Sequence, residues 1–233
     1  MLLSDAVNLL RLDLFDPAGP GQRWNQSDLE RAIDKAVVCY SHYIPHIASA
    51  DLPIQAGQRT YAFPDSWNPS YPILWIERIW YPVPSPGRTL AFAEHSNLLD
   101  SSYAPGMGAG QQPSFTLLMP DCELPQDTTQ MLRIFYATRQ QLDTSGSTIP
   151  DIDRDLIMLG ASSYAMQAYQ VPTNDNFTFQ DGFLHDRLDD SNIPAAWSAV
   201  ALQRQMQFMA RLQERQRQQG LAAAPRLTWR GRI

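Results

Sequence analysis

The residues whose types suit chemistry are four histidines, two cysteines and several clustered carboxylates. His42 and His46 are spaced so that one helix face would offer two imidazoles to a metal ion. Pro45 stands between them, however, and no glutamate takes the place of a zincin's general base, so they read as surface or half-buried histidines. Asp151, Asp153 and Asp155 alternate like the start of a calcium loop. Neither the turn glycine nor the closing glutamate follows, and Pro150 ahead of them suits a helix start, where acids complement the positive end of the dipole. His185, Asp186, Arg187, Asp189 and Asp190 set acid, base and cation side by side, but sequence neighbours point apart, which makes a solvated turn. Gly106, Gly108 and Gly110 follow no strand and lack the spacing of a phosphate loop. Cys39 and Cys122 lie too far apart to mark a metal site, and Cys39 falls in an apolar helical pattern as a small buried group. No nucleophile elbow or Cys–His pairing occurs. The expectation is no catalytic residue, no cofactor and no metal. Glu94, Asp121 and Glu123 are the only carboxylates to weigh for a hydrolase.

The charge distribution points to binding. From Arg204 to Ile233 seven arginines face one acid, Glu214, a net of +6. The whole chain of 233 residues carries −6, so everything before Arg204 carries −12. Such asymmetry marks an interaction tail. Its last part, from Gly220, has no regular period, and Leu227, Trp229 and Ile233 alternate with Arg226, Arg230 and Arg232 as anchors on a docking strand would. A purely solvating tail would not need those apolar groups. Of the 18 basic residues only Lys35 is lysine, and arginine suits bidentate contacts at interfaces. An apolar fraction of 44% is enough for a core, and no run approaches the ~18 apolar residues of a membrane span. The N-terminus mixes acids into its apolar stretch and has no cationic start, so no signal peptide is expected.

The elements that must carry this tail are legible from periodicity. Leu3, Ala6, Val7, Leu10 and Leu14 make a short amphipathic helix, ended by Asp16-Pro-Ala-Gly-Pro-Gly. Ser27 and Glu30 have capping-box spacing and open a second helix whose face is Leu29, Ile33, Val37, Tyr40 and Ile44. After Gly57 the grammar is that of strands: Thr60–Phe63, Ile73–Tyr81, Thr89–Phe92, Phe115–Met119 and Met131–Tyr136. The stretch from Glu94 to Pro113, rich in Gly and Ser, reads as a long functional loop. Helix returns at Pro150, with Gly160, Ala161 and Ser163 set for close packing, and a long last helix runs from about Pro194. The predicted fold class is α+β, an α-helical bundle with an inserted small antiparallel β-domain and a long C-terminal helix plus extended arm. Its parts are 1–54, 55–140, 141–193 and 194–233.

Trp24-x-x-x-Asp28-Leu-x-x-Ala32-Ile-Asp34 resembles the start of the second helix in the head-tail adaptor (connector) family of tailed bacteriophages. Gly57-Gln-Arg-Thr-Tyr61-Ala-Phe-Pro64-Asp65, the strand Ile76-Glu-Arg-Ile79, Leu132-Arg-Ile-Phe-Tyr136 and Ile149-Pro150-Asp151 are similar to that family's next signatures, in the same order. The resemblance covers roughly residues 3 to 170, and the C-terminal helix and arm resemble the family's portal-clasping end. The length and the 94–113 loop are more similar to adaptors of short-tailed phages. The resemblance implies a structural virion protein at the head-tail junction, made in the host bacterial cytoplasm. There a ring of usually twelve copies sits beneath the portal, extends the DNA channel and joins the next tail component, whether nozzle, stopper or fibre. DNA would pass without specific binding, because an acidic wall keeps phosphates mobile. On this reading the portal contact is Arg211, Arg215, Arg217, Arg226, Leu227, Trp229, Arg230, Arg232 and Ile233, in an arm that orders on docking. The lateral face of the bundle meets the neighbouring copy, and Tyr103 and Met107 at the loop tip reach the tail.

The alternative is a virion-associated nucleic-acid-binding accessory protein that uses the same arginines on phosphates. It has only Trp229 for stacking and an acidic body against it. A virion peptidoglycan hydrolase would need a convergent carboxylate pair, which the sequence does not reveal.

Overall fold

Ala6, Val7 and Leu10 wind into α1, Leu3–Asp13, and turn their stripe inward. The computed structural model describes residues 1–19, 22–63, 73–83, 88–95, 114–120, 124, 129–169 and 193–218. Among these the chain is α+β, with four α-helices and two small antiparallel sheets. The other elements are α2 (Gln26–Tyr43), β1 (His46–Pro53), β2 (Thr60–Ala62), β3 (Ile73–Val83), β4 (Arg88–Leu90), β5 (Phe92–His95), β6 (Ser114–Leu117), β7 (Met131–Thr138), α3 (Arg154–Tyr169) and α4 (Ile193–Gln218). They fall into two compact units. One is Met1–Ile44 together with Gln140–Ile233, and the other is the continuous stretch Pro45–Arg139.

In the helical unit, α1 closes with a left-handed residue. Phe15 N–H donates to Leu12 O and Asp16 N–H to Arg11 O, the two reverse bonds of a Schellman motif, with Phe15 at φ +53°. A side chain in that conformation costs about 1 kcal/mol that glycine would not. Buried Asp16 holds the turn rigid, because its carboxylate accepts from Arg11 Nη1 at 3.1 Å, Arg23 N at 2.7 Å and Trp24 N at 3.2 Å. Trp24 is itself buried, and its indole N–H donates to Ala165 O in α3.

The start of α2 corrects the expected capping box. Asn25 is the N-cap, and its side-chain oxygen accepts from Asp28 N at 2.8 Å, while Ser27 Oγ donates to that same oxygen and Glu30 accepts from Gln26. An amide oxygen one residue before the first turn reaches the free N–H groups that Ser27, already helical, cannot. At Gly160, α3 and α4 approach so closely that a Cβ would lie 2.8 Å from the ring of Phe208. Where the chain leaves and re-enters this unit, Gln140 donates its backbone N–H to Ser41 Oγ and its side-chain amide to Ile44 O, both at 3.0 Å.

The second unit is two sheets, ordered β1-β7-β3-β4 and β2-β6-β5, around a shared core of Ile76, Ile79, Phe115, Leu117, Leu132 and Ile134. The expected strand Thr89–Phe92 is two strands. The chain changes sheets at Ala91, whose carbonyl accepts from Leu118 N at 2.8 Å. Strand β1 was not expected. It pairs along its whole length with β7, from His46 opposite Thr138 to Pro53 opposite Met131. Glu94 and His95 lie in β5, not in a loop, and the Glu94 carboxylate accepts from Ile76 N. The remainder of that loop, 96–113, is outside the described residues.

Candidate interaction surfaces

Helix α4 rises about 1.5 Å per residue and turns by 100°, so its residues sort into two faces. Ala201, Phe208 and Leu212 are buried on one of them. Ala199, Leu202, Met206, Ala210 and Arg217 line the opposite one and are exposed. The inner face is also fixed by polar contacts. Asp153, in a 3-10 turn at Asp151–Asp153 ahead of α3, is buried. It accepts from Tyr40 Oη on α2 at 2.8 Å and from Arg215 Nε on α4 at 2.8 Å. One carboxylate thus joins three helices. The Tyr40 phenol is pushed far up, first by burial and then by its hydrogen bond to Asp153. This corrects the reading of Asp151, Asp153 and Asp155 as a uniform dipole-complementing set, since only Asp153 of the three is buried and gathers partners from other helices.

Arg215 is therefore spent inside the unit, with Nη1 at 3.3 Å from Gln218 Oε1 as well. Arg211 and Arg217 are exposed. Arg226, Leu227, Trp229, Arg230, Arg232, Ile233, Tyr103 and Met107 lie outside the described residues, as do Asp121, Glu123 and the His185–Asp190 cluster. Farther up α4, Trp197 packs on Trp24 with centroids 5.5 Å apart, and the Arg23 guanidinium sits 5.6 Å over the Trp197 ring.

Cys39 on α2 is half-buried, with its sulfur 3.9 Å from Met209 Sδ. Burial raises its thiol pKa, and burial also pushes the neighbouring Tyr164 phenol up to about 12. A raised pKa leaves little thiolate at neutral pH, so this is not an activated nucleophile. His42 sits on α2 whereas His46 opens β1, both exposed. Among the described residues no group of three metal-binding side chains occurs. No described helix is long and apolar enough to cross a membrane.

The sheet unit carries a surface that sequence periodicity did not single out. On the outward side of β3 and β7, the Arg78 guanidinium lies 4.8 Å over Trp80 and 4.4 Å over Phe135. Those rings meet edge to face at 4.9 Å. Beside them Arg133 grips Asp51 of β1 through Nε and Nη2, at 2.8 and 2.9 Å. The hydrogen bonds from Arg133 hold the Asp51 carboxyl below its ordinary range. The signal lay in the alternation of Arg78 with Trp80. A register shift between Ile76 and Arg78 leaves both Glu77 and Arg78 exposed, which breaks the simple two-residue period.

No family model matches this chain, and no curated protein does.

Proposed function

We propose that this chain is a structural head-tail adaptor that forms a ring beneath a phage portal, extends the DNA channel and joins capsid to tail. The architecture proposed with it is a helical bundle carrying an inserted antiparallel β-domain, with a long C-terminal helix continued as a basic arm. The observation that carries the reading is the charge split: a C-terminal segment at +6 on a body at −12, in a chain whose elements follow the order of that family. A basic segment studded with Leu227, Trp229 and Ile233 suits an acidic, partly apolar crevice, where arginines pair bidentately. Twelve such arms engaged together would multiply a weak single contact. The triple junction at Asp153 supports the reading too, because it gives the helix that leads into the arm a rigid root. With Arg215 held there, the portal contact falls to Arg211, Arg217 and the residues from Arg226 onward.

The body is proposed to repel passing DNA and to present its other end to the downstream tail protein. Removing residues 221–233 tests the arm directly. The truncated protein should unfold at the parental temperature and lose retention on immobilised portal. Retention at full-length affinity would sink the arm assignment. Sequence-independent retardation of DNA by the full-length protein at physiological salt would favour the nucleic-acid-binding accessory reading.

A further inference from the structure

The pairing registers of the four-stranded sheet lay out a grid on its outward side. Ser49, Phe135 and Arg78 share one row across β1, β7 and β3, and Asp51, Arg133 and Trp80 share the next. The two arginines of this grid are used differently. Arg133 is spent on Asp51, which it grips through two nitrogens. Arg78 is exposed, and among the described residues no oxygen accepts from its guanidinium. Its neighbour Glu77 does not fill that place, for Glu77 Oε2 accepts from Trp75 Nε1 at 3.3 Å and forms no ion pair with Arg78. Arg88 of β4 stands two residues from buried Leu90, on the other side of the sheet from Trp80 and Thr89. With 24 acids to 18 bases in the chain, a bare arginine does not follow from a shortage of carboxylates.

The guanidinium is nonetheless held in place. Trp80 and Phe135 meet at 69° and form a corner, and Arg78 lies within 5 Å of both ring centroids, at 4.8 and 4.4 Å. Stacking occupies the flat faces of the cation and leaves its N–H edges to donate. A planar fork fixed before binding matches the two oxygens of a carboxylate and loses little freedom when it engages them. We propose that Arg78 on this aromatic bed binds the carboxylate of an acidic, partly apolar peptide segment of another protein. Met131, in the row beyond Trp80, is 43% exposed and offers the apolar contact beside the charge. A nucleic-acid phosphate would meet the same fork, but two observations favour the peptide. The chain before Arg204 stands at −12, which opposes a polyanion far more than a segment with one or two charges. Arg78 also covers ring surface on which bases would otherwise stack. The site goes beyond the adaptor reading and does not rest on it.

An NMR titration of the full-length protein reads the site through the Trp80 indole N–H, assigned by its loss in Trp80→Phe. The probe is the blocked tripeptide acetyl-Glu-Phe-Glu-amide. The expected result is a saturable shift of that signal, with affinity about tenfold lower or worse in Arg78→Gln. Arg78→Lys should lose affinity too, since lysine keeps the charge without the fork. Both variants should melt with the parent, because the side chain replaced is exposed. Absence of a saturable shift in the parent overturns the proposal. Equal affinity in Arg78→Gln overturns it as well, by placing the peptide elsewhere, as on the basic C-terminal segment. Full affinity in Arg78→Lys reduces the site to diffuse charge and overturns the bidentate contact. Tighter binding at Trp80 by a short thymidine oligonucleotide or by inorganic phosphate overturns the peptide in favour of phosphate.

Discussion

Asp153 and Asp51 each accept a hydrogen bond from an arginine Nε at 2.8 Å, but their surroundings are opposite. Asp153 is 4% exposed at its side chain and its partner Arg215 26%, whereas Asp51 and Arg133 are 34% and 39% exposed. Water screens the second pair and solvates either partner left alone, so that pair adds little stability. The Asp153 carboxylate has no such refuge, and loss of Arg215 leaves that buried charge with the Tyr40 hydroxyl but without its cation. Equal geometry therefore carries unequal weight. Both units have an apolar core, but the helical unit buries a polar junction beside its own, whereas the Asp51–Arg133 pair of the sheet unit lies outside.

The largest effect that would sharpen this contrast is Arg215→Ala. It should cost about 3–5 kcal/mol in urea unfolding, while Arg133→Ala barely moves the midpoint. Equal small losses from both would break the comparison. Gly160→Ala comes next, because its Cβ would meet the Phe208 ring at 2.8 Å and force α3 and α4 apart. A loss of about 1–3 kcal/mol is expected, recovered in part by Phe208→Leu in the same chain. Tyr40→Phe removes one of two hydrogen bonds to Asp153 and should cost about 1–2 kcal/mol. Its effect should not add to that of Arg215→Ala, since both act through Asp153.

The smallest effect is at Asp51. Its pKa is depressed in the folded protein, so the stability this pair contributes is in place above the ordinary carboxylate range and is lost as pH falls through the lowered value. Melting curves of the parent and Asp51→Asn should differ slightly at neutral pH and converge in acid. A gap that widened in acid would reverse the assigned sign.

The contrast also marks what could be read from the sequence. Helices α1, α2 and α4 were legible, since Leu3 to Leu14, Leu29 to Ile44 and the run from Pro194 repeat apolar groups at helical spacing. Strand β1 was not, because its burial alternates only between exposed and half-buried, which leaves no apolar period to see. The change of sheet at Ala91 turned one apparent strand into two, for nothing local distinguishes a bend from a continued pleat. In the sequence Asp153 is indistinguishable from Asp151 and Asp155. What separates it is Tyr40, 113 residues away, and Arg215, 62 away, partners that only the fold brings together. Phe15 was hidden for a related reason, as a left-handed phenylalanine has no spacing that announces it. The charge asymmetry needed no fold to be seen.

One measurement bears most directly on the adaptor account: negative-stain electron microscopy of the purified protein mixed with the portal of its own phage, beside each alone. The account predicts an added ring beneath the portal stem. A portal left bare, with the protein remaining monomeric or binding DNA instead, would contradict it.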